Sequence, residues 1–363
     1  MARDYVRTVT DMERYYYGAG NAMGYSYTGS ELLKADSPML SSTAGTYQAI
    51  YGRKVWSQLN QEFNAFSILP KKPWDRSGWR VITEKPNAGA VHGGVAENAT
   101  LPETVKPTFQ HVAAKPKTIA HTFDMSEVAV FLADKDDGMG DIRSVLKEEM
   151  GKHHAEMVNG MLLSSVDTPA GNNFESLDRV TSNAALMTTG TGHVSANADH
   201  DIYSISRANN TWSDAEVDVD SSDADRVLSL DQLDLLFQKI WKRGGNPKVM
   251  LTGYDTLMRL QQLLQSQQRF MEEKRVTPTY NGIPIIPTKD MGVDTLGNLS
   301  KIYYLDTDYL HFSTAIPTQY FESGIETGDP FAINRLGQEG LYRTMGEIWT
   351  TFFGAQGSVR NLK

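Results

Sequence analysis

His153, His154 and Glu156 are the residues with the most obvious chemical potential. Two imidazoles and a carboxylate within four positions could ligate a metal ion or pass a proton. The surrounding spacing is helical, however, and neighbours on a helix point about 100° apart, so both rings cannot meet one ion from the same face. Neither zinc-protease spacing occurs. The pair therefore reads as structural, with His153 in the apolar stripe of a helix and His154 at its edge. Asp214, Glu216, Asp218, Asp220, Asp223 and Asp225 form an acidic run that could hold a hard cation through carboxylate oxygens. The run lacks the central Gly and terminal Glu of a calcium loop. It reads as a solvated acidic loop, with a cation bridging subunits as the alternative.

Nucleotide and hydrolase motifs are missing. No Gly-x-x-x-x-Gly-Lys-Ser/Thr occurs. Gly18-Ala19-Gly20-Asn21-Ala22-Met23-Gly24 is one residue too long for a dinucleotide fingerprint and follows tyrosines rather than a buried strand. Gly190-Thr191-Gly192 lacks a third glycine, and no Gly-x-Ser-x-Gly elbow is present. Lys71, Lys72, Arg76 and Arg80 cluster around Trp74 and Trp79. Such a cluster could touch phosphates, but contact with acidic groups of a partner chain fits better. No catalytic, cofactor or metal site is expected.

Composition narrows the classes further. The 363 residues carry 35 Lys+Arg against 44 Asp+Glu, a net charge of −9, which argues against a dedicated nucleic-acid binder. There is no cysteine, so disulfides and thiolate chemistry are excluded. At 40% hydrophobic residues the chain can bury a real core. No run of about 18 apolar residues suggests a membrane span. Met1-Ala2-Arg3-Asp4 leads into polar and aromatic residues rather than a signal peptide, so a product that begins in the cytoplasm is expected. The glycosylation sequons at Asn98, Asn209 and Asn298 then read as chance matches.

The elements that must carry these residues are unusual. Residues 1–60 are aromatic and irregular, with Tyr15-Tyr16-Tyr17 and a helical pattern only over about 45–66, so they read as an arm that packs on something else. Trp79–Thr83 reads as a strand. A second extended run spans Pro107–Phe123, and the Gly/Pro-punctuated stretch between them makes a long hairpin. A lone hairpin is marginal in water and needs a surface from its own chain or a neighbour. Residues 139–166 give the clearest helix, with Ile142, Leu146, Met150, His153, Met157 and Met161 as its apolar stripe. Residues 167–228 read as a polar, loop-rich excursion. From 229 the pattern is compact. Ser229 and Gln232 make a capping box, and Leu233, Leu236, Phe237, Ile240 and Trp241 form one helix face. Gly244-Gly245 stop that helix. The strand Lys248–Thr252, a helix over 254–268, the strands Ile283–Ile286 and Ile302–Leu305, and strand-like alternation in Tyr342–Phe353 and Ser358–Leu362 complete an α+β chain with a small mixed sheet.

This order of elements resembles the major capsid proteins of tailed double-stranded DNA viruses, with the Hong Kong 97-like capsid fold. The local marks are Leu101-Pro102-Glu103 with Pro107-Thr108-Phe109, His121-Thr122-Phe123-Asp124-Met125-Ser126, the Lys248–Leu260 stretch, and Leu341–Trp349 near the end. The resemblance implies an N-terminal arm (1–73), an extended loop (74–124) and a peripheral domain (125–228) with the spine helix 139–166 and a polar insertion. An axial domain (229–320) and return strands (321–363) follow. It further implies a structural, non-enzymatic protein that self-assembles into hexamers and pentamers of an icosahedral shell. That shell would enclose DNA without sequence-specific binding and without a membrane, in a virion capsid assembled in the host cytoplasm. Tyr15, Tyr16, Tyr17, Trp79, Arg80, Leu101, Pro102 and Phe109 would make intersubunit contacts. A portal and a separate scaffolding protein would be partners, with decoration proteins a further class. Some relatives join subunits through a lysine and an asparagine; Lys85, Lys106, Lys115 and Asn98 are present, but no such bond is expected. The alternative on the same fold is an encapsulin-like compartment shell. From other classes, a soluble α/β enzyme or a surface-layer or tail protein are the competing readings.

Overall fold

The structure, a computed structural model, describes residues 63–84, 96–97, 106–135, 142–166, 171–189, 201–203, 205–220, 226–267, 279–292, 299–324 and 336–363. The tyrosines Tyr15, Tyr16 and Tyr17, the pair Leu101 and Pro102, and nearly all of the 45–66 helix lie outside the described residues.

In chain order the elements are α1 (Asn64–Ile68), β1 (Lys71–Pro73), β2 (Gly78–Glu84), β3 (Thr108–Ala113), β4 (Lys117–Ser126), α2 (Glu127–Lys135) and α3 (Ile142–Leu162). The short helices α4 (Leu177–Val180) and α5 (Ala184–Thr189) and the strand β5 (Glu216–Asp218) follow. Then come α6 (Leu230–Arg243), β6 (Val249–Thr252), α7 (Tyr254–Gln267), β7 (Thr279–Tyr280), β8 (Ile283–Pro287) and β9 (Ile302–Leu305). The last strands are β10 (Leu310–Gly324), β11 (Gly337–Thr350) and β12 (Gly357–Val359). Three sheets result, with strand orders β1-β10-β11-β4, β5-β12-β9-β6-β8-β7 and β2-β3. Among the described residues no helix is long and apolar enough to cross a membrane.

The chain divides into two compact units. The smaller takes in the described residues of 122–149 and 321–341. There the Ser126 hydroxyl accepts from the Ala129 amide at the start of α2, a cap that satisfies a donor helix geometry leaves free. Arg143 and Glu322 form an ion pair at 2.5 Å. Val128 and Phe131 on α2 are exposed.

The larger unit takes in the described residues of 59–121, 150–320 and 342–363 and holds two cores. One is formed by the six-stranded sheet with α6 and α7. Leu233, Leu236 and Ile240 of α6 and Leu260 of α7 pack on Met250, Ile285, Ile302 and Tyr304. The capping box of Ser229 and Gln232 opens α6, and Gly244, at φ 95°, closes it. Only glycine adopts that left-handed conformation without steric cost. Trp241, expected on the apolar face, is exposed instead and leans on Phe237 with ring centres 4.5 Å apart. The second core gathers Phe174, Leu177, Tyr303, Phe312, Ile348 and Phe353 with Leu162 of α3.

Four expectations change. Pro107–Phe123 is not one strand: β3 pairs with β2, whereas β4 belongs to the four-stranded sheet. Pro116 stands between them; it has no N–H to give a ladder. In α3 Ile142 is buried as expected, but the rest of the buried face is His154, Val158, Asn159 and Leu162, while Met157 is exposed. The reason is polar satisfaction. Asn159 accepts from the Ala65 and Phe66 amides and donates to Asp290, and His154 bonds on both ring nitrogens. Burial on that face needs polar partners as well as apolar ones. Last, Phe174–Ser182 is wholly buried rather than part of a surface excursion. The acidic run is not simply solvated either. Glu216 pairs with Arg243 at 2.5 Å and Asp218 with Arg226 at 2.9 Å, because β5 is an edge strand of the six-stranded sheet. Asp223 and Asp225 lie outside the described residues.

Candidate functional site

The β2–β3 hairpin base sorts its side chains by strand alternation. Trp79 lies opposite Val112 and Val81 opposite Gln110; Arg80 lies opposite His111 and Ile82 opposite Phe109. The first set faces inward. Trp79 packs on Trp349 with ring centres 4.7 Å apart and on Tyr203 at 5.3 Å. Gln110 accepts from the Trp212 indole at 2.9 Å. Tyr203 in turn donates to the Ile348 carbonyl at 2.6 Å. At Gly78 a Cβ would strike the Val112 carbonyl, so the strands close tightly there. The second set faces outward: Ile82 is 59% and Phe109 60% exposed, side by side. A directly paired, exposed aromatic and β-branched residue is a stabilising cross-strand pair that also offers an apolar patch to a partner.

A cleft of about 1040 Å³ opens beside the hairpin base. Lys72, Arg76 and Arg80 line it, with Asp75 as the acid on its wall. His311 and Trp349 form its floor and are nine-tenths buried. The ring nitrogens His311 Nδ1, Trp349 Nε1 and Trp79 Nε1 have no hydrogen-bond partner. Burial, with Lys72 nearby, lowers His311 to about 4, so its ring is neutral at physiological pH. The basic cluster read from sequence thus divides. Lys71 turns away and lies over the Phe66 ring at 4.1 Å, whereas Lys72, Arg76 and Arg80 enter the cleft.

Elsewhere in the same unit, two buried carboxylates are paired. Asp178 is fully buried and is met by Arg360, by Lys301 at 3.0 Å and by the Val166 amide at 2.8 Å. Burial alone would raise its pKa, but Arg360 and Lys301 hold the carboxyl well below the usual range. Glu347 is buried too, accepts from the Glu175 amide at 2.8 Å and pairs with Lys117 at 2.9 Å. Burial lifts it to about 7 against the pull of Lys117. A histidine chain runs from α3: His121 Nδ1 meets His154 Nδ1 at 2.7 Å, and His154 Nε2 meets the Thr344 hydroxyl at 2.7 Å. Burial, with His121 and His153 beside it, lowers His154 to about 4. His153, expected inside, is the half-exposed member, 3.8 Å from Glu156. Among the described residues no group of three or more His, Asp or Glu is arranged to hold a metal ion.

The hairpin residues singled out from sequence therefore separate. Trp79 is an internal anchor, while Arg80 and Phe109 face outward on successive pairs of the same hairpin face. His311 and Trp349 were missed. Trp349 ends an alternating run that signalled a strand, but nothing local marked His311.

A family model for the SU10 major capsid protein matches residues 122–330, more than half of the chain. No curated protein matches the chain by sequence. Among solved structures, the fold is similar to the capsid subunit of cyanophage A-1(L), at 14% identity and a TM-score of 0.64 over 85% of this chain and 95% of that one. It is also similar to the capsid of a native GTA particle, at 11% identity and a TM-score of 0.56 over 94% and 99% of the two chains. The SrpI encapsulin of Synechococcus elongatus PCC 7942 shares the fold at 11% identity and a TM-score of 0.50 over 85% and 91%.

Proposed function

The chain belongs to the SU10 major capsid protein family, and from that premise we propose that its copies form hexamers and pentamers that close an icosahedral shell around double-stranded DNA. Its role is structural, and its place is the virion capsid. The observation that carries the assembly reading is the outward face of the hairpin base, where Ile82 and Phe109 stand exposed beside Arg80. A monomer leaves that apolar pair in water, and a neighbouring copy would cover it.

In this reading residues 1–73 are the arm, 74–124 the extended loop, 125–228 the peripheral domain with its spine helix, 229–320 the axial domain and 321–363 the return strands. Tyr15, Tyr16, Tyr17, Leu101 and Pro102 join Arg80 and Phe109 in contacts between subunits, while Trp79 supports them from inside. Assembly proceeds in the host cytoplasm, with a portal and a separate scaffolding protein, and decoration proteins can add to the outer surface. The chain itself performs no catalysis.

Electron microscopy of purified protein tests this reading. Rings or closed shells are expected, and deletion of residues 86–106 should abolish closed shells while leaving 229–320 folded. Monodisperse monomer under all assembly conditions, or stable particles from the deletion variant, would contradict it. DNA inside native particles separates a virion from an encapsulin-like shell, which would hold a cargo enzyme.

A further inference from the structure

The cleft beside the hairpin base has three features that do not follow from folding. Its cations are unspent: Lys72, Arg76 and Arg80 have no ion-pair partner among the described residues, whereas Lys117, Arg226, Arg243, Lys301 and Arg360 of the same unit do. Its floor is polar and unsatisfied, since the nine-tenths-buried His311 and Trp349 each keep a ring nitrogen without a partner, as does Trp79. Buried donors without acceptors are uncommon and disfavoured. Its rim continues into the exposed Ile82–Phe109 pair through Arg80 and His111, the next pair on the same face of the hairpin.

We propose that this cleft receives a carboxylate-bearing segment from a second copy of the chain. The inference rests on the assembly reading above and names the contact. Charge complementarity favours this occupant: the chain carries 44 acids against 35 bases, so a neighbouring copy is an acid-rich partner. Surface chemistry favours it over a nucleic-acid backbone. A duplex presents only phosphate, whereas these exposed cations share the cleft with the rings of Trp79 and Trp349 and lie near an exposed apolar pair. Arginine and tryptophan together, with apolar neighbours, are the composition of protein–protein hot spots. A carboxylate placed in the cleft would pair with Lys72, Arg76 or Arg80.

The test uses shells assembled from a mixture of unlabelled and isotope-labelled chains, treated with a zero-length carbodiimide that joins an amine only to a carboxylate in contact. The expected result is a mixed-isotope peptide pair linking Lys72 to an Asp or Glu of another copy. That product should vanish in the Lys72→Arg variant, which keeps the charge but cannot form the amide. In the double variant Arg76→Glu/Arg80→Glu, shell yield should fall by about tenfold or more, with an unchanged urea midpoint for the unassembled subunit. Cross-links confined to one chain, or equal Lys72 reactivity before and after assembly, would overturn the proposal. So would protection of Lys72 only in DNA-filled particles, which would assign the cleft to phosphate. Wild-type chains that form no shells would overturn the assembly reading and the proposal with it, whereas wild-type shells lacking the cross-link would overturn the proposal alone.

Discussion

Two regions of the larger unit use arginine and lysine in opposite ways. Around Asp178 the charges are sealed and paired: Arg360 and Lys301 converge on one carboxylate that water does not reach. Beside the hairpin base, Lys72, Arg76 and Arg80 surround a cleft whose indole and imidazole nitrogens are unpaired. Buried pairs of the first kind contribute little net attraction but are damaging to break. They hold Phe174–Ser182 and the end of the chain in one arrangement. The rings of the second region help pack their own subunit, but its cations have no ion-pair partner among the described residues and their charge is complete only against something else. The same residue types therefore serve folding in one place and association in the other, and pairing distinguishes them.

That contrast is testable from its strongest side downward. Asp178→Ala should destabilise the subunit by about 3–5 kcal/mol, because Arg360 and Lys301 would be left buried without their carboxylate; urea unfolding measures it. A loss below about 0.5 kcal/mol, the size usual for surface changes, would show that the sealed network does not matter.

Acid should act next, through the buried histidines. His154 and His311 are both lowered from 6.5 to about 4 in the folded subunit. A group with a depressed folded pKa contributes stability that is present above its unfolded value and lost as pH falls toward the folded one. Glu347, raised from 4.5 to about 7, acts oppositely: it favours the folded state at low pH, and that contribution is lost as pH rises between those values. Two histidines outweigh one glutamate, so stability should fall as pH drops from 6.5 toward 4.5, with each histidine contributing at most about 1.4 kcal/mol per pH unit. The His154→Gln variant should show a shallower slope in thermal unfolding across that range. An unchanged slope would mean that the His121–His154–Thr344 chain does not disfavour protonation.

Much of the fold could be read from the residues because local signals there agreed with packing. The capping box at Ser229, the stop at Gly244 and the apolar runs of β6, β8 and β9 all match what the six-stranded sheet buries. The hairpin was legible at its base for the same reason. Asn281-Gly282, a two-residue turn with φ 49° and 80°, was an available signal for the β7–β8 hairpin that periodicity alone passed over. What stayed hidden depended on long-range polar pairing. Asp178 meets Arg360 across most of the chain, so a stretch that looked like a polar loop became core. On α3, apolar spacing pointed to His153, but Asn159 and His154 had partners waiting on the other face. The cleft was half legible: the basic cluster was visible at Lys72, Arg76 and Arg80, while its floor came from β10 and β11, far along the chain.

The central claim is that the outward face of the hairpin base is completed by other copies while its inward face is completed within the subunit. Oxidative footprinting of isolated subunits and of assembled shells compares the two faces directly. The account predicts that Phe109 and Ile82 lose most of their reactivity on assembly while Trp79, already packed on Trp349, changes little. Equal reactivity of Phe109 and Ile82 in both states would contradict it.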